Sequence, residues 1–154
     1  MTCPVCAFNA TTERGDDDDA IARLGTGYVK LNPNQYFRGA VLFPARTCVT
    51  ELHLLPPSER ARYLHEMAEV AHAMWRALGP RKLNYELLGN TDAHLHWHLY
   101  PRYATDVVPQ WPVWSDPMMH EPRPPLPVEE RDELRSSLLA ELRNADVEIE
   151  VAYL

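Results

Sequence analysis

The stretch His94-Leu95-His96-Trp97-His98-Leu99-Tyr100 places three histidines at alternate positions between apolar residues. Successive side chains of a β-strand point to opposite faces of a sheet, so residues two apart share a face. The pattern therefore predicts a strand whose histidines line one face, while Leu95, Trp97 and Leu99 anchor the other face in the core. The chain has seven histidines in all, and three of them at this spacing would arise by chance on the order of one time in a hundred.

Three explanations of this histidine face are open. A polar face without a role is one, although clustered ionisable groups on an otherwise apolar strand favour a function. A second is a metal site, because three histidines on one face resemble a set of zinc ligands. The third is phosphoryl transfer, since a neutral imidazole is a competent nucleophile near pH 7. Neighbouring histidines can then fix its tautomer and donate hydrogen bonds to phosphate oxygens.

The composition narrows the class of protein. With 45% hydrophobic and 24% charged residues, the 154-residue chain is typical of one globular domain. A net charge of −7 argues against binding to nucleic acid polymers, which depends on Lys and Arg. The chain has no apolar run long enough to span a membrane and no signal peptide pattern at its start, so we expect no membrane partner and a cytoplasmic location. Three cysteines in a reducing compartment do not predict a disulfide framework.

Local patterns predict the main elements. Short strands are expected at 21–24, 28–31, 39–43, 83–88 and 93–100, separated by turns rich in Gly, Pro and Asn. A helix is expected to begin with Ser58 as its N-cap and to end at Gly79, because apolar residues recur between them at helical spacing. A second amphipathic helix is expected over 128–143.

These elements suggest one domain, 1–154, with four parts. Residues 1–20 hold a Cys-x-x-Cys motif and the acidic run Asp16–Asp19, which like-charge repulsion predicts to be an exposed loop. Residues 21–103 form the core, and 128–154 the last helix and a tail. The intervening 104–127 segment is rich in Pro and Trp, and we expect Trp111 and Trp114 to pack against the body or a second subunit.

The sequence around the histidines resembles a known family. The stretch Lys82-Leu83-Asn84-Tyr85-Glu86-Leu87-Leu88-Gly89-Asn90-Thr91, continued from His94 through Pro101-Arg102-Tyr103, is similar to the signature of the histidine triad (HIT) family, in particular its bacterial diadenosine tetraphosphate hydrolase-like members. The likeness covers roughly 21–103. It implies an α+β HIT-like fold: an antiparallel sheet of about five strands with two main helices, the sheet continuing across a homodimer.

The resemblance also implies catalytic roles. The middle histidine of the family attacks the α-phosphorus and forms a nucleotidyl-histidine intermediate, which water resolves; here it is His96. His98 would orient His96 through its ring and a backbone carbonyl, and His94 would lie near the phosphates or the leaving group. Related nucleotidyltransferases carry glutamine at the third position, so His98 favours hydrolysis. No metal or other cofactor is required for this chemistry.

Five further positions match substrate-binding residues of the family. The turn Gly89-Asn90-Thr91 corresponds to a polar turn whose donors meet phosphate oxygens. Asn84 corresponds to an amide that contacts the phosphate region. Asn32 corresponds to the position that binds the ribose hydroxyls.

The cysteines point to a possible structural zinc. Cys3 and Cys6 have the spacing of half a zinc site. In family members with such a site, the other ligands are the first triad histidine, here His94, and the histidine of a Pro-Lys-Arg-His segment. Thr47 stands at the latter position, with Cys48 after it. Either Cys48 substitutes as a ligand, giving a site of Cys3, Cys6, Cys48 and His94, or the site has decayed to free thiols.

Together these observations predict a homodimeric nucleotide hydrolase. It would cleave a phosphoanhydride or phosphoramidate bond at the α-phosphorus of an adenosine nucleotide, with dinucleoside polyphosphates as the first expectation. Two alternatives stay open: a non-catalytic nucleotide-binding module, and a zinc protein that uses the histidine cluster as ligands.

Overall fold

A computed structural model describes residues 3–154, and its centre is a six-stranded antiparallel sheet. The strands are β1 (Ala20–Arg23), β2 (Tyr28–Leu31), β3 (Val41–Pro44), β4 (Lys82–Glu86), β5 (His96–Arg102) and β6 (Val151–Ala152). Their order across the sheet is β4-β5-β3-β2-β1-β6, and each neighbouring pair is antiparallel. The expected α+β class is therefore confirmed. The tail supplies a sixth strand, β6, beyond the about five expected.

Two long helices cover one face of the sheet. They are α2 (Pro57–Leu78) and α3 (Val128–Leu142). Val29 and Val41 face both helices, and the ring of Phe43 stacks on Tyr63 of α2 with 5.1 Å between centroids. The Tyr63 hydroxyl donates a hydrogen bond to the Phe43 carbonyl at 2.7 Å. Burying each large apolar side chain in this layer contributes about 1.5–3 kcal/mol, so this face forms the core and leaves the other face for the site.

Only the C-terminal end of α2 lies where the sequence predicts it. Gly79 closes the helix in the left-handed conformation, with φ 58° and its N–H donating to the Trp75 carbonyl. The expected N-cap, Ser58, was wrong: the helix begins at Pro57, and Pro56 occupies the cap position without a side-chain hydrogen bond. Proline suits the first helical position because its φ is already helical and it has no N–H to satisfy.

The N-terminal segment is more ordered than the sequence predicted. It forms a helix, α1 (Pro4–Glu13), whose first turn is capped by the Cys3 sulfur accepting from the Cys6 N–H at 3.5 Å. The acidic run was expected to be an exposed loop, and this was wrong for Asp17, whose side chain is 5% exposed. Asp17 lies 2.5 Å from the fully buried ammonium of Lys30, and a buried charge needs such a partner.

Strand β5 begins later than expected, at His96 rather than Ala93. The reason lies in the chain opposite. The Leu95 carbonyl accepts from the Ala45 N–H at 3.0 Å, but the Leu95 N–H donates to the Val49 carbonyl at 2.8 Å. The two partners of Leu95 are four residues apart in the chain, so the regular pairing of β3 with β5 stops at this point. His94 therefore lies beyond the strand.

The Pro- and Trp-rich segment forms two short 3-10 turns, Val113–Ser115 and Pro117–His120. Trp111 and Trp114 are both 58% exposed, so neither is buried against the body of the chain, and their packing against a second subunit stays a prediction. Val113 and Asp116 are the two buried residues of this segment. Within residues 3–154, none of the helices combines the length and the apolar character that crossing a bilayer requires.

Candidate active site and metal centre

The three histidines are divided between two sites. His96 and His98 project from the same face of β5 into a pocket of about 500 Å³. His94 precedes the strand, is buried, and turns its ring towards Cys3 and Cys6. The prediction that all three histidines line one face was therefore wrong for His94, because the strand's alternation does not extend to it.

The pocket has an apolar wall and a polar rim. Its lining residues outside β5 come from α1, β3 and the 88–92 turn: Pro4, Val5, Phe8, Leu42, Pro44, Leu88, Gly89, Asn90, Thr91 and Asp92. Gly89 has φ 67°, a left-handed conformation that other residues rarely adopt. Asn90 and Thr91 are exposed, so their polar groups are accessible to a ligand.

A backbone carbonyl holds the ring of His96. Its Nδ1 lies 2.6 Å from the His94 carbonyl oxygen, which can only accept, so Nδ1 carries the proton. A neutral imidazole has one ring proton, so its Nε2 has a lone pair. That Nε2 lies 2.9 Å from Nε2 of His98 at the pocket. The His96 ring is thus oriented by a carbonyl and by His98, and it lines the pocket.

His98 is a neutral group in this setting. Burial, with a smaller contribution from His96, lowers its pKa from 6.5 to about 4. Its ring stacks on Tyr100 with 5.8 Å between centroids, and the Tyr100 hydroxyl lies 3.2 Å from its Nδ1. A neutral imidazole can still donate one hydrogen bond, so His98 can act on a phosphate without adding a charge.

The residues expected to bind substrate fall into two groups. Gly89, Asn90 and Thr91 line the pocket beside His96. Asn32 and Asn84 do not line it. The Asn32 side chain accepts a hydrogen bond from the Asn34 N–H at 2.9 Å. Asn84 lines a separate cavity of about 490 Å³ along β4, and its side chain accepts a hydrogen bond from Arg102 at 2.8 Å.

Four potential metal ligands meet at the start of α1. The sulfurs of Cys3, Cys6 and Cys48 and a ring nitrogen of His94 all lie within 4.8 Å of one another. Thr47, at the position where the family has histidine, is turned away and hydrogen-bonds to Glu59. Of the two outcomes considered for this site, Cys48 therefore occupies the fourth ligand position in space.

The orientation of His94 suits metal binding. Its Nε2 donates to the Ala45 carbonyl at 2.8 Å, which leaves a lone pair on Nδ1. Nδ1 lies 3.4 Å from the Cys3 sulfur and 3.6 Å from the Cys6 sulfur. Such an outer hydrogen bond is the usual way of fixing the tautomer of a ligating histidine. Three cysteine sulfurs and one imidazole nitrogen gathered this closely are a ligand set that fits zinc.

One neighbour of the pocket histidines, Tyr100, and one wall of the pocket, formed by α1, were not expected from the sequence. Tyr100 lies two residues after His98, so the alternation that selected the histidines extends to it. No pattern in the sequence predicts that α1 forms a wall of the pocket. Phe8 lines the pocket, and its ring contacts Lys30, whose ammonium lies 3.1 Å from the ring centre.

Solved structures with this fold come from several organisms. A histidine triad protein from Marinobacter aquaeolei VT8 is 24% identical, with TM-score 0.69 over 82% of this chain and 90% of that one. A HIT protein from Sinorhizobium meliloti 1021 is 23% identical, with TM-score 0.70 over 91% and 99%. A Zn-bound histidine triad family protein from Mycobacterium smegmatis is 23% identical, with TM-score 0.65 over 94% and 97%. At these identities the likeness establishes a shared fold.

The family is shown by the sequence itself. No curated protein matches the chain. Residues 17–105, more than half of the chain, match the HIT domain family. They include β1 to β5, the 88–92 turn and both pocket histidines. This protein therefore belongs to the histidine triad (HIT) family.

Proposed function

We propose that the protein hydrolyses nucleotides at the α-phosphorus, with His96 as the nucleophile. The observation that carries the proposal is the His96 ring, whose Nδ1 is held by the His94 carbonyl at 2.6 Å while Nε2 faces a pocket rimmed by the 88–92 turn. An oriented neutral imidazole beside hydrogen-bond donors is the arrangement that nucleophilic attack on phosphorus needs.

The reaction would proceed in two displacements. A bond forms from His96 Nε2 to the α-phosphorus while the bond to the leaving group breaks, and the leaving group departs with the electron pair and takes up a proton. Water then attacks the same phosphorus, the phosphorus–nitrogen bond breaks, and His96 recovers its lone pair. His98, held neutral, would donate its N–H to a phosphate oxygen or to the leaving atom. The His94 carbonyl contributes here, whereas its ring does not face the pocket.

The first substrate class is dinucleoside polyphosphates, as in the bacterial diadenosine tetraphosphate hydrolase-like branch; nucleoside phosphoramidates come second. The wall formed by Val5, Phe8 and Leu42 suits the apolar faces of a nucleobase. Gly89, Asn90 and Thr91 would meet the phosphates. The roles expected of Asn32 and Asn84 in nucleotide binding remain predictions.

We further propose that the cluster of Cys3, Cys6, Cys48 and His94 holds a structural zinc ion. The Zn-bound relative from Mycobacterium smegmatis supports this assignment, since it shares the fold. When bound, the metal would tie the start of α1 to the segment before β5. The alternative in which all three histidines are ligands is not favoured, because His96 and His98 face the pocket instead.

The expected homodimer is also part of the proposal. Strand β4 lies at one end of the sheet, and in the described chain one side of it has no strand neighbour. Such an edge can pair with a second copy, which would continue the sheet. A cytoplasmic location and an absence of nucleic acid or membrane partners remain predictions.

The test is product analysis with a matched control. Purified wild type, His96→Ala and His65→Ala are incubated with diadenosine tetraphosphate and with adenosine phosphoramidate. His65 is an exposed histidine of α2, so its variant controls for losing an imidazole elsewhere. We expect AMP from wild type and His65→Ala, and a loss of about a thousandfold or more in His96→Ala. If AMP binds but no variant cleaves either compound, the protein is a nucleotide-binding module instead.

A further inference from the structure

We propose that Tyr100 is a positioning residue, whose hydroxyl holds the His98 ring with its N–H directed at the nucleophilic nitrogen of His96. The hydroxyl lies 3.2 Å from Nδ1 of His98, and Nε2 of His98 lies 2.9 Å from Nε2 of His96. The kinetic part of this inference rests on the proposed function. The structural part, an ordered chain of hydrogen bonds, does not.

The direction of the chain follows from counting protons. The His94 carbonyl oxygen can only accept, so the Nδ1 of His96 must donate to it and Nε2 of His96 has no proton. The contact of 2.9 Å between the two Nε2 atoms then needs a proton from His98. A neutral His98 that donates from Nε2 has a bare Nδ1, and Tyr100 is the donor that faces it.

If the hydrogen bonds ran in the opposite direction, the contact between His96 and the His94 carbonyl would be unfavourable. If His98 donated from Nδ1 to the tyrosine oxygen, its Nε2 would be bare and His96 would have to carry its proton on Nε2. The bare Nδ1 of His96 would then face the His94 carbonyl at 2.6 Å, with lone pairs directed at each other. Two acceptors that face each other at this distance repel and leave each other unpaired, so this arrangement is disfavoured. The carbonyl therefore sets both ring tautomers.

Tyr100 is held firmly enough to act in this way. Its side chain is 3% exposed, and its ring meets Phe37 edge-on with 5.8 Å between centroids. Burial and the nearby Glu86 carboxylate raise the pKa of Tyr100 well above its usual range, although a hydrogen bond from Asn32 opposes them. The phenol thus stays protonated and able to donate.

The arrangement has a consequence during the reaction. When a phosphate takes the lone pair of His96, the Nε2–H of His98 loses its acceptor and is free to donate to a phosphate oxygen or to the leaving atom. Tyr100 keeps that N–H aimed at the reacting group, because it ties the opposite nitrogen of the same ring. Losing this one hydrogen bond should therefore affect the rate more than substrate binding.

The test compares Tyr100→Phe with Tyr103→Phe. The first keeps the ring that packs on Phe37 and His98, and removes only the hydroxyl. The second removes a hydroxyl that donates to the Arg38 carbonyl at 3.0 Å, away from the histidines. Both are labelled with ¹⁵N-histidine and measured at pH 8, where imidazoles are neutral. In wild type we expect His96 protonated at Nδ1 and His98 at Nε2.

In Tyr100→Phe, the Nδ1 resonance of His98 should move downfield, to the position of a ring nitrogen that accepts no hydrogen bond. Its kcat should fall about three- to tenfold with little change in KM, the effect of one neutral hydrogen bond. Tyr103→Phe should show neither change. Thermal unfolding of both variants establishes that they are folded.

Reversed tautomers in wild type would overturn the inference. So would an unchanged His98 resonance in Tyr100→Phe, or a changed resonance with an unchanged kcat. If wild type cleaves no nucleotide at all, the proposed function fails, while the NMR measurement still decides the direction of the chain.

Discussion

The pocket and the cysteine cluster share one short stretch of chain but are assembled in different ways. The pocket takes its two histidines from neighbouring positions on β5, so simple alternation brings them together. The cluster gathers Cys3, Cys6, Cys48 and His94 from three distant parts of the sequence. His94 takes part in both, with its ring at the cluster and its carbonyl on His96.

This difference shows where a local pattern stops being informative. Alternation predicts side-chain direction only where the backbone is a regular strand. Regular pairing ends at Leu95, and one residue earlier the side chain is free to point elsewhere. A motif of three histidines thus contributes side chains to two places, the pocket and the cysteine cluster, because its first member lies just outside the strand that carries the other two.

The largest expected effect comes from breaking the cluster. Replacing Cys3 and Cys6 by serine should abolish zinc binding and lower the Tm by about 10 °C or more, since a bound structural metal contributes folding free energy outright. Nucleotide binding should weaken too, because α1 begins at Cys3 and lines the pocket through Val5 and Phe8. Elemental analysis, calorimetry and AMP titration measure these changes.

Chelation provides the control for that prediction. Wild type treated with a strong chelator should unfold at the Tm of the double variant, and the chelator should leave the variant unchanged. Wild type that purifies without metal, and has the same Tm as the variant, would show that the cluster is a set of free thiols.

A smaller effect is expected on the free energy of unfolding as the pH falls, and it should come from His98 in the pocket rather than from the cysteine cluster. His98 has a lowered pKa of about 4, whereas the unfolded chain binds its proton near 6.5. The unfolded state therefore holds more protons between these values, and the stability that neutral His98 contributes is complete above pH 6.5 and is lost as the pH falls towards 4. The expected loss is about 3 kcal/mol, because each unit of difference in pKa corresponds to about 1.4 kcal/mol.

Urea unfolding of wild type and His98→Gln across pH 4–8 measures this contribution as a difference. The comparison is needed because Glu86 has a raised pKa, caused by burial, and acts in the opposite sense. Parallel pH profiles for the two proteins would mean that His98 is not held neutral by its surroundings.

The smallest effect tests the turn at the rim of the pocket. Gly89 and Gly15 both have positive φ, 67° and 77°, and neither has an atom closer than 3.7 Å to where a β-carbon would lie. Alanine at either position should therefore cost about 1 kcal/mol of stability for conformational reasons alone. Only Gly89→Ala should also weaken AMP binding, as measured by calorimetry. Equal AMP affinity in the two variants would remove the turn from the binding site.

The sequence was most informative where contacts are local. The presence of short strands, the end of α2 at Gly79, and the shared face of His96 and His98 all follow from short patterns, whereas the antiparallel sheet was implied by the family resemblance. The HIT resemblance, carried by 82–103, supplied the family. What could not be predicted depends on partners further along the chain: the contact of Phe8 on α1 with Lys30, and the pairing of Asp17 with the same Lys30.

That ion pair has a consequence for ligand size. Lys30 is fully buried and contacts both Asp17 and the Phe8 ring. If α1 slid along the sheet by one turn, the buried Lys30 ammonium would lose the Phe8 ring and the Thr12 hydroxyl, which lie on α1 and contact it, and a buried charge is costly when its polar partners are removed. We therefore expect α1 to stay in place when a ligand binds, so that the width of the pocket is constant. Ligands that need a wider pocket should then bind weakly.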